Sequence, residues 1–167
     1  KLLQSTLDQY GTGLSVSELA LGGLFVSNYG TAFDGASEAV TRAIELGINT
    51  IDTAPGYGDS EDVLGRILPG IDKPIILSTK LGGRPTPFNP QDAEQLRFSV
   101  KESLRLLGRE RLDLLMLHEP DRPGQYDWFT DPDTIDGPVM QVLDDLKREG
   151  VIGYPGLGGT PAHEMAR

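Results

Sequence analysis

Apolar strand-like runs and helix-periodic runs alternate along the whole chain, and this alternation constrains the fold more than any other feature. A first hairpin is predicted from Leu2–Thr6 and Leu14–Ser17, turning through Tyr10-Gly11-Thr12-Gly13. Five βα steps follow. Leu19–Leu24 is a short apolar run, and Ala36–Leu46 has apolar residues at helical spacing with Gly47 closing it. Ile48–Asp52 is the next strand, and Ser60 is expected to cap a helix over Glu61–Leu68. Pro74–Lys80 leads through a Gly- and Pro-rich loop, Leu81–Asn89, to a long helix opened by Asn89-Pro90 and ended at Leu107 by Gly108. Leu112–His118 is nearly all apolar, as a strand buried on both faces should be. The loop Glu119–Gly137, a helix over Pro138–Glu149 and a strand-like run Val151–Gly158 complete the series, and Thr160-Pro161 starts a further helix. Strands separated by helices pair in parallel, either doubly wound or as a barrel. The 167 residues read as a single domain.

No strand is followed by G-x-G-x-x-G. Gly156-Leu157-Gly158-Gly159 imitates it without the downstream acidic residue, which disfavours a doubly wound dinucleotide site. The net charge of −10 repels phosphate backbones and anionic lipid heads, so nucleic acid and membranes are not expected partners. With no cysteine and only His118 and His163, neither a thiolate nor a multi-histidine metal centre can form. The apolar runs are too short for a membrane span, and the first residues show no secretory h-region, so cytoplasmic residence is the expectation.

Four polar residues end, or closely follow, apolar strands. Asp52 closes Ile48–Asp52, Tyr57 lies in the Pro-Gly-Tyr-Gly turn beyond it, Lys80 closes the third βα strand, and His118 closes the fourth. In a barrel all four would meet at the carboxyl rim, where catalytic groups sit. Singly, each has an ordinary reading: Asp52 a cap, Lys80 a surface cation, His118 a satisfied structural histidine, Tyr57 packing. Their joint appearance at successive strand ends reads as a proton-transfer site instead. A free phenol is a poor acid near neutral pH. A neighbouring Lys80 cation favours the phenolate and eases proton release, with Asp52 holding the lysine. His118 would donate a hydrogen bond to a substrate oxygen while Tyr57 protonates it.

The residues carrying this pattern resemble those of the aldo-keto reductase family. The segment Gly47–Glu61, with Leu64-Gly65, is similar to the family signature around its aspartate and tyrosine. Ser78-Thr79-Lys80-Leu81-Gly82 resembles the lysine segment, and Leu112–Asp121 the histidine segment. Thr12–Ser17 resembles the N-terminal hairpin, and Leu143–Ile152 a helix-to-strand step. The resemblance implies the first five βα units of a (β/α)8 TIM barrel. It implies an NAD(P)-dependent oxidoreductase with Asp52, Tyr57, Lys80 and His118 as catalytic residues. The cofactor would be NADP(H), alternatively NAD(H), touching Gly23, Leu24, Asp52, Gly158 and Gly159. The substrate would be a small carbonyl compound or sugar, with the segment Thr53–Gly58 and Leu117–Asp121 nearest to the aldose and galactose dehydrogenase branch.

Three departures from the family pattern stand out. A full barrel takes roughly 250 residues, so the chain reads as incomplete, and open sheet edges would favour pairing between copies. Gly158 and Gly159 stand where the family usually has Ser-Asn. Gly153 and Pro155 fall inside the fifth βα strand, where proline suits a sheet edge. Two further readings compete: a non-catalytic, aldo-keto-reductase-like regulatory protein, and a Schiff-base aldolase acting through Lys80.

Overall fold

Each apolar run becomes a strand laid beside the one before it. The computed structural model describes the backbone of residues 4–6 and the whole of residues 12–122, 124–131 and 133–160. Strands β1 (Gln4–Thr6) and β2 (Ser15–Ser17) form an antiparallel hairpin. Five parallel strands follow: β3 (Leu21–Gly22), β4 (Thr50–Asp52), β5 (Ile76–Leu81), β6 (Leu112–His118) and β7 (Ile152–Gly158). They are joined by α1 (Phe33–Glu45), α2 (Ser60–Ile67), α3 (Ala93–Leu107) and α4 (Pro138–Arg148). The spatial order is the chain order, β3-β4-β5-β6-β7. A doubly wound sheet would reverse that order at a switch point. Uninterrupted order is singly wound, the geometry of the first part of a (β/α)8 barrel.

The helices cover the sheet through one apolar stripe each. Val40 and Ile44 of α1, Val63, Leu64 and Ile67 of α2, Leu96 and Val100 of α3, and Val142 and Leu146 of α4 join one core with Ile51, Leu77, Leu115 and Ile152. Each such side chain contributes about 1.5–3 kcal/mol on burial. Gly65 lets α2 approach α3, since a Cβ there would strike the carbonyl of Leu106. At the amino ends of the strands Asn49 ties the hairpin down. Its Oδ1 accepts from Ser17 N at 2.7 Å, and its Nδ2 donates to Ser15 O at 2.9 Å. Tyr154 of β7 adds a bond from its hydroxyl to Thr12 O at 2.8 Å.

Several expected boundaries shift. Helix α3 begins at Ala93, not at Pro90, because the Asp92 carboxylate accepts from Glu94 N and Gln95 N and is the true cap. Asn89 heads a separate turn, accepting Gln91 N on its side chain. Gly108 ends the helix as expected, in the left-handed region at φ 62°. Ser60 is not a cap but the first residue of α2, and its hydroxyl donates to Gly23 O at 2.8 Å. The run Leu19–Leu24 is strand only at Leu21–Gly22 before tightening into a 3-10 turn. Among the described residues β7 pairs with β6, Pro155 lying opposite Leu115. The expected Leu2–Leu3 strand start, the Tyr10-Gly11 turn and the helix after Thr160 lie outside the described residues. Among the described residues no helix is long and apolar enough to cross a membrane.

Candidate active site

Parallel register brings the strand ends together. Asp52 pairs with Ser78, Lys80 with Met116, and His118 with Gly158, so three side chains from three strands emerge on one rim. Lys80 is the centre. Its Nζ donates to Asp52 Oδ2 at 2.6 Å and to Thr53 O at 2.9 Å. Its side chain is only 8% exposed, and a buried ammonium needs such partners. Ser78 Oγ donates to the other oxygen of Asp52 at 2.8 Å, fixing the carboxylate from the neighbouring strand.

Tyr57 arrives on the turn between β4 and α2. Tyr57 N donates to Ala54 O, and Ser60 N donates to Tyr57 O, each at 3.0 Å. The turn is anchored beneath by Thr53 Oγ1 donating to Ser60 Oγ at 2.8 Å and by the Ser60–Gly23 bond. Its ring lies 4.8 Å from Lys80 Nζ and meets the His118 imidazole edge-on at 6.0 Å between centroids. The four groups expected at the strand ends therefore surround one cleft of about 300 Å³, lined also by Met116, Glu119, Gly158, Gly159 and Thr160.

His118 is held from behind. Its carbonyl accepts Trp128 Nε1 at 3.0 Å, and its ring stacks on Tyr126 at 6.3 Å. Burial, and then the Lys80 cation, hold the imidazole below the ordinary histidine range, with Glu119 and Asp52 pulling the other way. At neutral pH it is an uncharged ring with one N–H to give. An imidazole NMR titration is expected to place His118 below the ordinary histidine midpoint; a midpoint at or above it would contradict this environment. The linkage has a definite sign. A histidine whose folded value is depressed binds fewer protons folded than unfolded. Stability from this group is therefore present above the unfolded value, near ~6.5. It is lost as pH falls from there toward the folded value, and levels off below it.

Not every expected contact is in the cleft. Gly23 is buried, and a Cβ there would meet Asp52 O, Ser60 Oγ and Thr53 Cβ within 2.8–3.0 Å. Its backbone packs under the Tyr57 turn and does not line the cleft, and neither does the exposed Leu24. Gly158 and Gly159 do line it. A Cβ at Gly158 would lie 3.3 Å from Met116 Cβ and 3.4 Å from Lys80 Cε, so a side chain would crowd the lysine. Sequence reasoning gave no separate role to Glu119. It follows His118 with φ 49°, bonds Gly158 O through its backbone N at 2.8 Å, and pairs with Arg122 at 2.8 Å. That left-handed turn costs about 1–2 kcal/mol in a non-glycine residue, and nothing in residue type announces it.

A singly wound parallel sheet with a lysine–aspartate pair, a phenol and an imidazole gathered at one rim defines a barrel-type fold. Similarity to known proteins narrows the class. The model of the aldo/keto reductase family matches residues 18–167, and the chain belongs to that family. It is 34% identical over 160 residues to L-galactose dehydrogenase of Arabidopsis thaliana, covering 90% of this chain and 47% of that protein. It is also 34% identical over 167 residues to 6-dehydroglucose reductase of Novosphingobium aromaticivorans, covering 93% and 51%. Among solved structures, an aldo-keto reductase described as putative, from Pseudomonas aeruginosa, superimposes with a TM-score of 0.79 at 34% identity, covering 97% of this chain and 61% of that one. The chain thus spans about half the length of the curated relatives it matches.

Proposed function

We propose that this protein is an NAD(P)-dependent oxidoreductase that interconverts a carbonyl group and an alcohol, with Asp52, Tyr57, Lys80 and His118 as its catalytic residues. The observation that carries the reading is the Lys80 ammonium, bonded to Asp52 and facing the Tyr57 ring across from His118. Tyr57 gives its proton to the carbonyl oxygen of the substrate, and takes it back in the reverse direction. The Lys80 cation stabilises the negative charge left on the phenol oxygen. Asp52 and Thr53 O keep that cation in place, and neutral His118 donates a hydrogen bond to the same substrate oxygen. A nicotinamide nucleotide, when bound, supplies or accepts the hydride.

The bare backbone at Gly158 and Gly159 fits a flat ring beside Lys80, because a side chain at Gly158 would fill that space. Those two residues with Asp52 would hold the nicotinamide end. The bonded ammonium also disfavours the aldolase alternative, since a nucleophilic amine needs a free lone pair. The names of the two 34% identical relatives favour a sugar substrate. The test is fluorescence titration with NADPH and NADH, followed by turnover assays on aldoses and simple aldehydes with matched cofactor. We expect saturable binding and cofactor-dependent turnover. Binding without turnover on any carbonyl or sugar would favour the non-catalytic reading, and no binding would overturn the assignment.

A further inference from the structure

Behind the Tyr57 turn lies a charge pair, its carboxylate buried and its guanidinium partly so, that the chemistry above does not use. Glu61, the second residue of α2, has a side chain 1% exposed. One of its oxygens accepts from Thr79 Oγ1 at 2.6 Å, and the other pairs with Arg84. We propose that Glu61 and Arg84 are positioning residues that clamp the turn carrying Tyr57 onto the strand carrying Lys80. The proposal rests on the oxidoreductase reading.

The connectivity carries it. Thr79 is the immediate neighbour of Lys80 on β5. Glu61 directly follows Ser60, whose backbone N–H bonds Tyr57 O. Arg84 lies in the loop that leaves β5, and this loop packs on the Tyr57 turn: a Cβ at Gly83 would touch Pro55 Cβ at 3.7 Å. A single carboxylate therefore fastens three segments: the start of α2, strand β5 and the loop that leaves it. Its energetics point away from a purely structural role. Burying two charges costs desolvation that their attraction barely returns, and apolar residues of similar volume commonly serve stability as well. Arg84 Nη1 is moreover buried without an acceptor among the described residues, so the pair is not optimised for stability. What the pair does supply is a fixed separation between a phenol and an ammonium on different elements.

The test uses the full protein and the variants Glu61→Gln, Arg84→Met and Arg84→Lys. Glu61→Gln keeps an acceptor for Thr79 but removes the charge. We expect kcat to fall about ten- to a hundredfold in Glu61→Gln and Arg84→Met, the scale of a small misplacement of reacting groups, with KM and nucleotide affinity nearly unchanged. Arg84→Lys should recover most of the loss. A second readout needs no turnover. The turn covers His118, since a Cβ at Gly56 would sit 3.7 Å from His118 Cε1. The charges facing that imidazole are Lys80, Glu119, Asp52 and Arg122. Loosening the turn should hydrate the ring and move its NMR titration up toward the ordinary histidine range, with His163→Gln assigning the signals. Variants that melt earlier yet keep wild-type kcat and the wild-type His118 titration would overturn the proposal. Should Glu61→Gln fail to fold, the contrast between Arg84→Met and Arg84→Lys decides it. An inactive wild type whose His118 titration still shifts in the variants would refute the oxidoreductase reading while supporting the clamp. An inactive wild type with no shift would refute both.

Discussion

Replacing Tyr57 with phenylalanine is expected to lower kcat by about 10²–10⁴-fold, the usual contribution of a general acid, and to leave the fold intact. The substitution removes one hydroxyl from a partly exposed side chain. None of the bonds that hold the site passes through that hydroxyl: Lys80 still reaches Asp52 Oδ2 and Thr53 O, and Ser78 still holds Asp52. The ring keeps its edge contact with His118. Stability should therefore change by no more than about 0.5 kcal/mol. Because the lost interaction forms only as the proton moves, kcat and kcat/KM should fall together with KM little altered. Steady-state kinetics on the best substrate checks this. Unimpaired turnover in the phenylalanine variant would remove Tyr57 from the mechanism.

The largest stability effect is expected at Trp128. Its side chain is 1% exposed, the bulkiest fully buried group among the described residues. It packs against Tyr126 at 5.1 Å and Phe88 at 5.8 Å between centroids, while Nε1 donates to His118 O. Trp128→Ala should cost about 3–5 kcal/mol, a large share of the roughly 5–15 kcal/mol that holds a domain folded. Trp128→Phe keeps most of the apolar burial and loses the hydrogen bond, so about 1 kcal/mol is expected. Urea unfolding followed by circular dichroism measures both, since the chain has no other tryptophan to report by fluorescence. An alanine variant as stable as the phenylalanine variant would show that the loop is not pinned by this side chain. The alanine variant should also lose activity below its unfolding transition, because the carbonyl it releases belongs to His118.

These two residues illustrate what can be read from sequence and what cannot. Strand β6 was legible to the residue, Leu112–His118, because an unbroken apolar run ending in a polar residue has few other uses. The grouping of Asp52, Lys80 and His118 followed from the same logic, since parallel strands in chain order must end on one side. Tyr57 followed because its turn is short. The start of α3 was not legible: Asn89-Pro90 and Asp92 are both sound opening signals, and the choice between them depends on where the loop lands. Trp128 had no assigned role because the loop Glu119–Gly137 has no periodicity to say which aromatic faces inward. The Glu61–Arg84 pair joins residues 23 positions apart, and nothing local links a helical glutamate to a loop arginine. Asp52 and Lys80 could be paired from sequence because both end neighbouring strands, whereas Glu61 and Arg84 share no such landmark.

Lys80 makes its bonds to Asp52 and Thr53, residues of the adjacent strand and the step just beyond it. The spacing between ammonium and carboxylate is therefore inherited from the hydrogen-bonded ladder, which cannot stretch without breaking. Rim residues that bond neither the Tyr57 turn nor His118 carry no such duty. They can be exchanged without altering the distance between the Lys80 ammonium and the Asp52 carboxylate.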